Sequence, residues 1–297
     1  MKHILFVLEL LLSINVHAET FTALSPEGVE IQYEVSYYSY EYEYGRHKIA
    51  VVIGIPSSYI GPLTIPAGVE YKGEHLSVRR IGSSAFMNHT GLTSVWMDEC
   101  YSIGDMAFTG CENLESVHID VNGLEEIGDG AFAFCSNLTS FENDPYLLRS
   151  IGEYAFNGCS SLKYLFYGST LSSCERLESI GKYAFQDCWS LTSFEIPYSE
   201  DRYGNSIDIS IGEGAFRGCD GLTSVTFHCS EIGNWFSRLS SIKSVRLGWE
   251  VTNIKAYAFY DCAGLTSIEI PGSVKTIGEY NQEIKGVTNV EIIPVSA

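Results

Sequence analysis

One phrase constrains this chain more than any other: Ile-Gly-x-x-Ala-Phe-x-x-Cys, followed three residues later by Leu and three after that by an apolar residue. It reads Ile103-Gly104, Ala107-Phe108, Cys111, Leu114, Val117, then again Ile127-Gly128, Ala131-Phe132, Cys135, Leu138, Phe141. With the Phe as marker, rungs fall at Phe86, Phe108, Phe132, Phe156, Phe185, Phe216, Phe236 and Phe259, spaced 22, 24, 24, 29, 31, 20 and 23 residues apart. A fixed phrase at such a period marks a solenoid, whose units bury their apolar faces only against their neighbours. The few large apolar side chains of one rung do not offset the entropy of ordering it. The rungs therefore fold together or not at all.

Two periodicities share each rung. Leu114-Glu115-Ser116-Val117-His118-Ile119 alternates apolar and polar, the pattern of a strand with one buried face. Ala-Phe-x-x-Cys has the i, i+3 spacing of one helical or 3₁₀ turn with Phe and Cys inward. Gly82, Gly104, Gly128, Gly152, Gly181 and Gly212 each follow Ile, where a missing side chain permits a positive φ or a close backbone approach. Ile196-Pro197 and Ile270-Pro271 end strands, because Pro cannot donate to a ladder. The seventh rung, Ile232-Gly233-Asn234-Trp235-Phe236, has lost one residue and its Ala. The expected fold is an α/β repeat solenoid of the leucine-rich-repeat kind. It is a right-handed superhelix with short strands and one helical or 3₁₀ turn per rung, behind a β-rich N-terminal cap.

Six of the nine cysteines (Cys111, Cys135, Cys159, Cys188, Cys219 and Cys262) hold one slot of the phrase, taken by His89 in the first rung and Leu239 in the seventh. Equivalent residues on stacked rungs stand about 4.8 Å apart with parallel side chains, whereas a disulfide needs converging Cβ atoms about 3.8 Å apart. The expectation is a column of unpaired buried thiols acting as small hydrophobes. Cys100, Cys174 and Cys229 lie outside the slot and leave room for one pair. The series has no CxxC spacing, so no metal site is expected.

Met1 to Ala18 reads as a secretory signal peptide, with Lys2, an apolar run from Ile4 to Leu12, and a small-x-small site at Val16-His17-Ala18. Residues 19–62 lack the phrase. There Tyr38, Tyr40, Tyr42 and Tyr44 alternate with Ser39, Glu41 and Glu43, and Val51-Val52-Ile53 is a second strand candidate. This segment is expected to cap the first rung, because an open solenoid end exposes core and strand edges. The solenoid spans 63–280, and 281–297 close it by strand addition as a C-terminal cap. Net charge is −19, which disfavours nucleic acid, and no segment is long enough for membrane insertion.

The repeat, with Leu63-Thr64-Ile65-Pro66 ahead of Ile81-Gly82, resembles the BspA-type leucine-rich repeat of surface and secreted proteins from Bacteroides-like bacteria and some protozoa. The resemblance covers about residues 63 to 280. It implies an adhesion or protein-binding module, delivered outside the cell, with an extracellular or host protein as partner.

No catalytic arrangement is legible. His47, His75, His89, His118 and His228 show no HExxH or paired spacing, no phosphate loop appears, and acidic pairs such as Glu125-Glu126 face apart in a strand. Neither catalytic activity nor a cofactor is expected. His118 and His228 are expected on strands as exposed face residues. The strand face is the candidate binding surface. Its outward column runs Trp96, His118, Glu142, Phe166, Glu195, Thr226, Arg246 and Glu269, next to a column of Ser broken by Tyr164. Exposed aromatics beside acids suit a protein or a glycan. Two insertions, Tyr167 to Arg176 and Pro197 to Ile209, are candidate binding loops. The second carries Glu200, Asp201, Arg202 and Tyr203 but lacks the order of a calcium loop. The leading expectation is a secreted protein-binding or adhesion module. The alternatives are a carbohydrate-capture protein using the aromatics, and a structural spacer.

Overall fold

The computed structural model describes residues 19–38, 47–119, 123–142, 145–165, 176–200, 206–278 and 289–293. Strands β1 (Thr20–Leu24), β2 (Glu30–Tyr38) and β3 (His47–Gly54) form an antiparallel meander. Its last strand runs parallel to β6 (Glu74–Ile81), which enters the first rung. The preceding β5 (Gly68–Tyr71) folds back on β6 through Lys72-Gly73, both at positive φ, and β4 (Gly61–Ile65) starts a second sheet. Tyr40, Tyr42 and Tyr44 and residues 1–18 lie outside the described residues.

From β6 onward each rung supplies two short parallel strands. In the first sheet Ile81, Ile103, Ile127, Ile151, Ile180 and Ile211 stand in register. The second sheet aligns Leu63, Val95, Val117, Phe141 and Leu165. It resumes, after the segment that holds the first insertion, with Phe194, Val225 and Val245. Near the C-terminus, Asn289–Ile293 adds a parallel strand to Ser267–Pro271. Between the sheets the Phe rings stack face to face. Centroids from Phe86 through Phe108, Phe132, Phe156, Phe185 and Phe216 to Phe236 are 4.5 to 5.5 Å apart.

The third side of each rung is not helical. Among the described residues the one helical element is a 3₁₀ turn at Pro145–Leu147, outside the phrase. The Ala-Phe-x-x-Cys segment does make i→i−3 hydrogen bonds, as from Ala107 to Gly104, Thr109 to Met106 and Cys111 to Phe108. The N–H groups in between go elsewhere: Met106, Phe108 and Gly110 donate to Asp129, Ala131 and Ala133 of the next rung, at 2.8, 2.7 and 2.8 Å. Left-handed residues cause the alternation, with φ of +55° at Met106 and +73° at Gly110, and equivalents at Ser84, Asn88, Tyr154, Gly158, Tyr183 and Asp187. A residue in that conformation turns its N–H out of the helical direction. The spacing expected of a helical turn is thus met by a third inter-rung ladder.

The glycines after Ile serve close approach, not positive φ. A Cβ on Gly152 would meet the Gly128 carbonyl carbon at 2.5 Å, and one on Gly181 the Glu153 nitrogen at 2.4 Å. Gly152→Ala is expected to destabilise the protein by about 1–3 kcal/mol through overpacking, read as a lower urea midpoint.

The thiol column is buried and unpaired, but it is not merely hydrophobic. Each Sγ–H donates to the carbonyl of the preceding rung's Phe: Cys111 to Phe86 at 3.0 Å, Cys135 to Phe108 and Cys159 to Phe132 at 3.1 Å. His89, with no such carbonyl behind it, places Nε2 3.0 Å from the Pro56 carbonyl. Cys100 and Cys229 are also free, and hold a second buried slot three residues before Ile, shared with Val78, Leu124, Leu148, Leu177 and Val251. Cys174 lies outside the described residues. Burial pushes the Cys111 and Cys219 thiols up to about 12, so at pH 8 almost no reactive thiolate exists there. Maleimide or iodoacetamide should leave all six slot cysteines unlabelled in the native protein and label them after unfolding, as read by peptide mass spectrometry.

Candidate functional site

Period-two alternation sends Val95, Val117 and Phe141 into the core and the residue after each to the outer face of the second sheet. Parallel register brings Thr64, Trp96, His118 and Glu142 side by side, although 32, 22 and 24 residues separate each from the next. The contacts are specific. The Trp96 ring, 47% exposed, stacks on the His118 imidazole at 4.0 Å between centroids and 25° between planes. His118 Nδ1 lies 2.8 Å from Glu142 Oε2, and the other Glu142 oxygen accepts from Ser140 Oγ at 3.4 Å. An aromatic, an imidazole and a carboxylate thus form one line across three rungs. Tyr164, 45% exposed, pairs with Ser140 in the adjacent column. At the near end Thr64 donates through Oγ1 to Glu27 Oε1 at 2.5 Å.

The column does not run unbroken as expected. Phe166 and the first insertion's Tyr167 to Glu175 lie outside the described residues, and Glu195, Thr226 and Arg246 stand together in the separate sheet that follows. His228 lies just beyond the strand Ser224–Phe227, not on it. Its Nε2 is 3.0 Å from Glu195 Oε1 and its Nδ1 3.6 Å from Glu250 Oε2. Trp249, 75% exposed and near Tyr198, adds an aromatic beside this group that column alignment did not find, because it follows a bend instead of occupying the repeat. Arg246 and Glu269 line a cleft of about 400 Å³ with Lys243 and Pro271. In the second insertion Ser199–Glu200 pairs antiparallel with Ser206–Ile207, which makes its base a hairpin; Asp201, Arg202 and Tyr203 lie outside the described residues. Among the described residues no group of three His, Cys, Asp or Glu is arranged to hold a metal ion, and no helix is long and apolar enough to cross a membrane.

Rungs stacked on two parallel sheets, with a Phe–Cys core and a polar strand face, define a leucine-rich repeat protein. The sequence matches the BspA type leucine rich repeat region in six copies, over residues 79–207 and 178–294, and the chain belongs to that family. It is similar to a leucine-rich repeat protein from Bacteroides ovatus, at 21% identity and a TM-score of 0.39 over 88% of this chain and 87% of that one. It is also similar to the pneumococcal vaccine antigen PcpA, at 19% identity and a TM-score of 0.44 over 87% and 78%. A leucine rich cell surface protein from Faecalibacterium prausnitzii is 18% identical, with a TM-score of 0.38 over 93% and 95%. No curated protein sequence matches the chain.

Face and core aromatics should separate in stability. Trp96→Ala is expected to cost about 1 kcal/mol, chiefly its stacking. Phe132→Ala, at the centre of the ring stack, should cost about 3–5 kcal/mol. Urea midpoints of the two variants check the difference.

Proposed function

We propose that this chain is a secreted or surface-delivered, non-catalytic protein-binding module of the adhesion type, whose site is the outer face of the second sheet. The observation that carries the proposal is the Trp96–His118–Glu142 line with Tyr164 beside it. A half-exposed Trp held by an imidazole, itself held by a carboxylate, is a preordered aromatic anchor. Such anchors dominate protein interfaces because little side-chain entropy is lost on docking. Glu195, Thr226 and Arg246 extend the face, and the second insertion, with Glu200, Asp201, Arg202 and Tyr203, is a candidate binding loop. The partner is an extracellular or host protein.

The rest of the chain serves this role in the same proposal. Residues 1–18 are a cleaved leader, 19–62 cap the first rung, 63–280 form the repeat solenoid, and 281–297 cap its far end. What supports the N-terminal cap is that Gly82 donates to Val52 and His89 reaches Pro56, both in the 19–62 segment.

Surface plasmon resonance against a panel of host matrix proteins tests the proposal. The expected result is a hit that weakens at least tenfold in Trp96→Ala and weakens with added salt if the partner is basic. Binding unchanged in Trp96→Ala and Glu142→Gln would remove the site from this face, and binding of glycans alone would replace the protein partner with a carbohydrate.

A further inference from the structure

At five successive junctions, from the Phe86 rung to the Phe216 rung, three N–H groups of each turn donate to the rung that follows. The next junction has none. Among the described residues the N–H groups of Gly214, Phe216 and Gly218 find no acceptor. The cause is in the sequence: the seventh rung is one residue short between Gly233 and Phe236, so its carbonyls fall out of step with the donors. The first sheet breaks at the same place, after Ser210–Ile211 and before Glu231–Ile232. The core stays closed, with Phe216 and Phe236 stacked at 4.5 Å, and the second sheet continues from Ser224–Phe227 to Ser244–Leu247. A wedge opens on the turn side, opposite the strand face, as a cleft of about 780 Å³.

The walls of the cleft combine two chemistries. Tyr183 lies on one side, stacked on Tyr154 at 5.2 Å and lying over Gly214, where a Cβ would meet its ring at 2.4 Å. Trp235 stands in the place of the missing Ala, and Tyr257 and Tyr260 pack edge to face on the far side at 5.6 Å. The polar groups are rich in donors: Arg217 and Arg238, neither in an ion pair among the described residues, beside the free N–H groups of Gly214 and Gly218. Glu213 and Asp220 are the acceptors.

We propose that this cleft binds a saccharide bearing a carboxylate, such as a uronate or a sialate. Ring faces receive the C–H faces of a pyranose, and a fork of guanidinium and backbone N–H groups receives a planar carboxylate. Glu213 and Asp220 accept from sugar hydroxyls. The volume is in the range of small-ligand sites, about 300–1,000 Å³. A multiply charged phosphate ligand fits less well, because the chain's net charge of −19 repels it more than a single carboxylate.

Isothermal titration calorimetry of the full chain with trigalacturonate and with 3′-sialyllactose tests the proposal, with maltotriose and lactose as neutral controls. One acidic probe should bind and the neutral ones should not. Which of the two binds decides between uronate and sialate. Affinity should fall at least tenfold in the Arg217→Gln/Arg238→Gln double variant and in Tyr257→Ala. A repaired seventh rung, with one residue inserted and Ala restored before Phe236, should close the ladder, raise Tm and abolish binding. The proposal is overturned if neither acidic probe binds, if neutral sugars bind equally, or if the arginine pair is dispensable.

Discussion

The structure depends on where alternate N–H groups of the turn point. In a helix every N–H would be spent inside the rung, and the third side of the solenoid would be held by side chains alone. Left-handed residues at two positions per turn send every second N–H to the neighbour, so the backbone is bonded between rungs on three sides. That arrangement fixes the stagger to within a hydrogen bond. It explains why the Phe rings remain parallel across the six rungs from Phe86 to Phe216 and why a glycine is needed wherever one Ile strand passes under the next. The cost of left-handed backbone at Met106, Tyr154 or Tyr183 is offset by these inter-rung bonds.

Much of this is legible in the sequence because a solenoid repeats its environment. Phe, Cys, Leu and the Ile-Gly pair recur at fixed offsets, so their burial follows from periodicity alone. The turn ladder does not. Its second left-handed site carries Asn88, Gly110, Gly158, Asp187 and Gly218, residue types that tolerate positive φ, but also Phe134 and Arg238; its first carries Gly130 and Gly214, but also Ser84, Met106, Tyr154, Tyr183 and Tyr257, which signal nothing of the kind. An i, i+3 pattern of Phe and Cys is common to a 3₁₀ turn and to this alternating backbone, and side-chain spacing cannot separate them.

The candidate face was legible as a column but not as a set of contacts. Alignment puts Trp96 beside His118 and His118 beside Glu142. That the imidazole stacks on one and hydrogen-bonds the other depends on rotamers, on which repeat spacing is silent. His228 and Trp249 escaped alignment because both lie where the strand has ended. The seventh rung is a stronger case. A single deleted residue reads as decay in the sequence, yet the chain absorbs it by joining rung six through the second sheet and rung eight through the first. Each interface is kept on one side and released on the other.

The thiol column has a consequence for how such a chain can change length. A disulfide ladder ties cysteines in twos, so gaining or losing one unit would strand a partner and oblige the rest to re-pair. Here each Sγ answers to a main-chain carbonyl, which every unit supplies whatever its neighbours carry. The count of units is free of parity. Duplication or loss of one unit leaves every remaining thiol with an acceptor, and a terminal unit needs only a side chain long enough to reach the segment behind it, as His89 does.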